Sequence, residues 1–302
     1  MELIVGANQY GKAEVRIVAV DRSSPWHTFD DLCVGITLSG ELDAVHRHGD
    51  NANVVPTDTQ KNTVFAFARE TGIGTIEEFG LRLARHFVSS FHPITRARVS
   101  IEAARWGRIA QSDGAEQPHS FVSAGSDLRT ATAVVAGGRA PGEWVLSGVR
   151  GLIVLKTTGS EFSGYVTDRY TTLSETDDRI LSTSINAGWR HSGLLPAGEW
   201  DQAFSAARAA LLARFAEVHS LSLQQTLYEM AAGAVAADPS IAEVRLSMPN
   251  RHHFLADLTP YGLDNPNQVY RFEDRPYGLI EAQILVPGAP DAGPAWDPYP
   301  LV

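Results

Sequence analysis

Cysteine is almost missing from this 302-residue chain: Cys33 stands alone. One thiol excludes an intrachain disulfide and a thiolate zinc cluster within one chain, and it points to a reducing, cytoplasmic setting. Basic residues are also short, with Lys and Arg numbering 25 against 35 Asp and Glu, a formal charge of −10. That balance argues against nucleic acid, because phosphate binding is driven by Lys and Arg. A small anion needs only one local cation and stays open. No window of about 20 apolar residues occurs, so no membrane span is expected. Met1 to Gly6 lacks a basic n-region, and its apolar run is too short for a signal peptide. Tyr299-Pro300-Leu301-Val302 carries no common receptor-read address. Gly72-Ile73-Gly74 and Ala136-Gly137-Gly138-Arg139 match no nucleotide fingerprint, and there is no Ser nucleophile elbow. His46-Arg47-His48 has same-face strand spacing for a ligand pair, but Gly49-Asp50-Asn51 follows and the segment reads as a turn. With no third ligand at a motif spacing, no metal is expected.

What is present is an ordinary globular composition, 44% hydrophobic and 20% charged. The length fits one large domain or two of about 150 residues. Glu14 to Val20 and Leu32 to Gly40 alternate with period two and read as antiparallel strands, with Asp21 to Asp31 as a longer turn. Thr75 is placed to cap a helix, with Glu78 positioned for a capping box. Ile76, Phe79, Leu83, Phe87 and Val88 then follow helical spacing. Strand patterns return at Ile94 to Ile101 and Phe121 to Val135.

The second half repeats this order. Strand patterns at Leu152 to Lys156 and Ile185 to Trp189 precede helical tracts at Trp200 to Phe215 and Leu223 to Ala236. A strand follows at Ile241 to Met248, whose apolar positions coincide with those of Ile94 to Ile101. Two similar β-β-α-α-β-β units are the simplest reading. Each would be an antiparallel sheet with helices on one face, leaving the other face and the edges to be covered by joining units and subunits. We set the units at 8–140 and 145–286. The Pro-rich tail, 287–302, has no periodicity and reads as an arm without a folded element.

Seven polar residues stand in a row at Thr57-Asp58-Thr59-Gln60-Lys61-Asn62-Thr63, between Val54-Val55 and Val64-Phe65-Ala66-Phe67. A surface turn would carry Gly or Pro-Asp in its middle. This run therefore reads as an ordered segment leading into a helix or strand. Thr57-Asp58 is either a cap pair or a site pair. Lys12, after Gly11, is either a solvated lysine or, beside Thr57, a base that draws a proton from the threonine hydroxyl. Arg179 sits among acids and reads as an ion pair or as a planar fork for an oxo-anion or ring carbonyl. Phe162 is core or a stacking face. Gln224 is an exposed helix-start residue or a bidentate amide reader. In Asn250-Arg251-His252-His253, adjacent strand residues point opposite ways, so only one histidine can face a site; His252 shares Asn250's side.

Taken together and in order, these segments resemble the urate oxidase (uricase) family. The matching pieces are Tyr10-Gly11-Lys12, Thr57-Asp58 with Lys61-Asn62-Thr63, and His119-Ser120-Phe121. Leu155-Lys156 to Phe162, Tyr170 to Leu173, and Asp178 to Thr183 also match, as do Leu223-Gln224 with Tyr228 and Pro249-Asn250 with His252. The resemblance implies an α+β tunnelling fold (T-fold), two tandem ββααββ units that close an oligomeric β-barrel with helices outside. It implies a homotetramer that oxidises urate with O₂ to 5-hydroxyisourate and hydrogen peroxide, without metal or organic cofactor. Lys12, Thr57 and His252 become the proton relay. Thr57, Asp58, Phe162, Arg179, Leu223, Gln224 and Asn250 become substrate contacts, with sites at subunit interfaces. Thr59 to Thr63 then become support for Thr57 and Asp58. The competing readings are another tunnelling-fold enzyme of a purine or pterin, a non-catalytic purine-binding protein, and a purely structural oligomer.

Overall fold

The computed structural model describes residues 3–138 and 141–297; Met1, Glu2, Arg139, Ala140 and the last five tail residues lie outside them. The chain divides into two compact units. The first comprises Met1–Gly148, Arg190–Gln202 and Ala289–Val302, and the second comprises Val149–Trp189 and Ala203–Gly288.

The first unit runs β1 (Tyr10–Asp21), β2 (Thr28–Gly40), α1 (Asp43–His48), α2 (Thr57–Glu70), α3 (Ile76–Ser90), β3 (Ile94–Ala110), β4 (Glu116–Ala136). The strands pair antiparallel in the order β1-β2-β3-β4. Every second residue of β2, from Leu32 through Val34 and Ile36 to Leu38, is buried in one core with Phe79, Leu83 and Phe87 of α3, which packs on β3 and β4. Burying each such side chain contributes about 1.5–3 kcal/mol. The hydroxyl of Thr75 accepts the Glu78 N–H at 3.3 Å and caps α3.

The second unit contains most of β5 (Gly142–Lys156) and β6 (Leu181–His191), then α4 (Trp200–Glu217), α5 (Leu223–Ala237) and β7 (Ile241–Pro249). A short antiparallel pair, β8 (His252–Leu255) and β9 (Tyr270–Glu273), precedes β10 (Leu279–Leu285). The main strands lie in the order β5-β6-β7-β10. Helix α5 packs on β7 and β10. Ile241, Val244, Leu246 and Met248 are buried, as are Ile94, Ala97, Val99 and Ile101 at the equivalent positions of β3. Both units follow the β-β-α-α-β-β order, with the short α1 inserted in the first and the β8–β9 pair in the second.

Four details differ from the sequence reading. Strands β1 and β2 extend further than their apolar alternation, so the expected turn from Asp21 to Asp31 shrinks to residues 22–27. His46 to His48 are helical, not a turn, and Gly49 ends that helix at φ 70°. Residues two apart do not share a helix face, which removes the His46/His48 pair as ligands. The polar run 57–63 is itself the first two turns of α2 rather than a lead into it. Finally, the tail does hold a folded element, one 3₁₀ turn at Gly293–Trp296. Ala295 is fully buried there, Arg98 donates to its carbonyl at 3.0 Å, and Arg96 pairs with Asp297 at 2.5 Å.

Candidate active site

The second unit holds a cavity of about 580 Å³ lined by Phe162, Arg179, Leu223, Gln224, Asn250 and His252, among others. Its walls come from different parts of the sequence. Phe162 and Arg179 sit on a non-repetitive segment that backbone hydrogen bonds tie down. Phe162 N–H donates to Thr176 O (2.9 Å), Thr176 N–H returns the bond (3.2 Å), and Arg179 N–H donates to Ser160 O (2.8 Å). The Asp178 carboxylate accepts from Thr158 Oγ1 and the Gly159 N–H at 3.0 Å, which fixes the neighbouring turn.

Arg179 makes no ion pair with the acids around it in sequence, because Asp178 is engaged with Thr158 and Gly159. Its guanidinium carbon lies 5.1 Å from the Phe162 ring centroid. Its Nε is buried and has no hydrogen-bond partner among the described residues. Burial lowers the Arg179 pKa. An anion in the cavity would offset that desolvation. Phe162 also stacks on Tyr165, with centroids 4.9 Å apart, which holds one ring face in place.

Leu223 and Gln224 occupy the first turn of α5, whose Ser222 cap accepts the Gln225 N–H at 3.2 Å. The first N–H groups of a helix have no intrahelical acceptor and favour negative charge nearby. Leu223 is buried and Gln224 is exposed toward the cavity. Asn250 is fixed by its own N–H donating to Gly278 O at 2.8 Å. His252 begins β8, and burial, followed by the Arg179 charge, pushes its pKa below the usual imidazole value. His253 borders the same cavity, so the expectation that only one of the two histidines could face it fails. All four residues of β8, His252 to Leu255, border it.

Lys12, Thr57 and Asp58 lie in the first unit. They do not line the cavity just described. Thr57 and Asp58 open α2 immediately after Pro56. Lys61 Nζ and Asn62 Nδ2 hold the Asp58 carboxylate at 2.5 and 3.1 Å. The Lys61 hydrogen bond lowers the Asp58 pKa most, and the charge of Lys12 adds to it. Lys12 thus lies within electrostatic reach of the start of α2. The Val55 N–H donates to Tyr10 Oη at 2.8 Å, and Tyr10 Oη is 3.2 Å from Val55 O. Sequence reading quoted Tyr10 and Asp178 within matching segments but gave neither a role. Tyr10 had a usable signal, the two-residue spacing that puts it on Lys12's side of a strand. Among the described residues, no three His, Cys, Asp or Glu side chains are grouped to hold a metal ion.

A sequence model of the uricase family matches residues 8–134 and 145–281. The chain belongs to the uricase family. It is 47% identical to the uricase of Arthrobacter globiformis over 98% of this chain and 94% of that one. It is 36% identical to the uricase of Aspergillus flavus over 93% of this chain and 96% of that one. The crystal structure of the Arthrobacter globiformis uricase superposes with a TM-score of 0.91, covering 98% of this chain and 99% of that chain. A uricase from Bacillus fastidious, 22% identical, has a TM-score of 0.78 over 93% of this chain and 94% of its own, a likeness of fold. The α+β architecture is therefore the tunnelling fold of the uricases. No helix among the described residues is long and apolar enough to cross a membrane.

Proposed function

We propose that the chain oxidises urate with O₂ and water to 5-hydroxyisourate and hydrogen peroxide, without metal or organic cofactor. The observation that carries the reading is Arg179, a guanidinium that lines the cavity 5.1 Å from the Phe162 ring centroid and has no ion-pair partner among the described residues. Urate is flat, anionic and rich in ring N–H and carbonyl groups. Phe162 offers it a stacking surface, and Arg179 and Gln224 grip its two polar edges. The first N–H groups of α5 at Leu223 add a donor for a carbonyl oxygen.

The chemistry runs through protons. Lys12 takes a proton from the Thr57 hydroxyl, which takes one from urate, and His252 passes it on. The electron-rich urate dianion then gives two electrons in all to O₂, which becomes H₂O₂ with two protons. Water, held with O₂ in turn by Asn250, adds to the oxidised ring and yields 5-hydroxyisourate. Lys12, Thr57 and Asp58 of one copy complete the cavity of another in a homotetramer. The position of these three outside the cavity lining supports that arrangement. One cysteine in 302 residues suits a cytoplasmic location.

The test is to mix metal-stripped protein with urate and follow ultraviolet absorbance and O₂ together. Equimolar loss of urate and O₂ with peroxide formed is expected. Loss of urate without O₂ uptake, or no loss, overturns the proposal.

A further inference from the structure

We infer that Tyr10 is a positioning residue for the proton relay: its hydroxyl pins the backbone just ahead of Thr57 to the strand that carries Lys12. The inference rests on the relay reading above. Tyr10 Oη accepts the Val55 N–H at 2.8 Å and lies 3.2 Å from the Val55 carbonyl, within donating distance. Both backbone groups of one residue thus meet one hydroxyl. Val55 is buried, and only Pro56 separates it from Thr57. Pro56 restricts the backbone between them, so fixing Val55 fixes where α2 begins. Gln60, fully buried one turn on, donates to the same Val55 carbonyl at 3.2 Å.

The strand side is equally constrained. Tyr10 pairs with Leu38, Gly11 with Thr37 and Lys12 with Ile36. A Cβ on Gly11 would stand 1.8 Å from the Ile36 carbonyl oxygen, so only glycine allows this approach. Between the pairs Lys12–Ile36 and Val15–Val34, β1 then advances three positions while β2 advances two. This bulge inserts one extra residue, and Glu14 takes φ 55° within it. Without the bulge, Tyr10 and Lys12 would lie on the face opposite buried Val15 and Ile17. With it, Tyr10 and Lys12 share that core-side face, and the Tyr10 hydroxyl spans to α2. A bulge and a fitted glycine around one lysine are more than a β-strand needs for stability.

The experiment compares Tyr10→Phe, Lys12→Ala and the double variant in steady-state urate oxidation, with thermal unfolding of each. Tyr10→Phe removes one oxygen and is expected to lower kcat about tenfold or more while KM stays within about twofold, because misplacing a reacting group slows chemistry, not binding. In the double variant the two losses are expected not to multiply, since both act through one relay. A lowered Tm with unaltered kcat would make Tyr10 merely structural and overturn the inference. Multiplying losses overturn it too. Full activity in Lys12→Ala overturns the relay itself, whatever Tyr10→Phe does.

Discussion

Arg179 lies over the ring of Phe162, its guanidinium carbon 5.1 Å from the centroid, and the two project from one hydrogen-bonded segment into one cavity. The segment has no helix or strand to stiffen it. Its geometry comes from the paired Phe162–Thr176 backbone bonds and from the Arg179–Ser160 bond. Gln224, Asn250 and His252 line the same cavity.

Arg179→Lys keeps the charge and loses the planar fork and its stacking. Charge-assisted hydrogen bonds carry about 1.5–3 kcal/mol each, so KM for urate should rise roughly 10- to 100-fold. Steady-state kinetics against urate concentration check this. A KM unchanged in the variant removes Arg179 from substrate binding.

His252 predicts a pH dependence. Burial and the Arg179 charge lower its pKa, so the imidazole stays neutral below the ordinary value of about 6.5. The sign for stability follows from proton counts. Below about pH 6.5 the unfolded chain binds a proton that folded His252 resists, so this group makes stability fall as pH falls through that window. For activity, the acid limb of kcat/KM that belongs to His252 should lie below about pH 6.5 and vanish in His252→Gln. An acid limb above that value, or one that survives in His252→Gln, contradicts the assignment.

Gly11→Ala should damage both fold and activity. The new Cβ meets backbone, the Ile36 carbonyl oxygen at 1.8 Å, and no side-chain rotation relieves it. Overpacking costs about 1–3 kcal/mol, and a clash with backbone belongs at the upper end. Strand β1 must lift from β2, which moves Lys12. Thermal unfolding and kcat measured together should fall together.

Glu77 is a stability test away from the chemistry. It is fully buried, accepting from Arg129 at 2.8 Å and Ser147 at 2.7 Å, while Arg129 also meets Asp201 at 2.6 Å. Burial raises the Glu77 pKa despite Arg129. Folded Glu77 therefore keeps its proton in a window above about pH 4.3 where the unfolded chain has lost it, and stability falls as pH rises through that window. Glu77→Ala should cost about 3 kcal/mol by breaking a buried pair, with kcat close to unchanged in the folded protein. Denaturant unfolding measures it, and an unaltered midpoint would show the network to be energetically idle.

The sequence by itself determined the order of elements and much of the core. Period-two alternation marked β1 and β2, because a sheet buried on one face repeats every second residue. Thr75 with Glu78 marked the start of α3, because a helix leaves its first N–H groups unbonded. The ordered segments from Tyr10 to His252 also pointed to the uricases. Only the tertiary structure decided which alternatives the polar residues took. Arg179 has no ion-pair partner among the described residues, and the neighbouring Asp178 accepts from Thr158 and Gly159, 20 and 19 residues earlier. The bulge that keeps Tyr10 and Lys12 on the core side depends on the pairs Lys12–Ile36 and Val15–Val34, 24 and 19 residues apart in the chain. The tail, periodless in sequence, is held by Arg96 and Arg98 from a strand 201 and 197 residues before their partners. Local pattern is set by neighbours in the chain, whereas a partner for a charge is set by whatever the fold brings beside it.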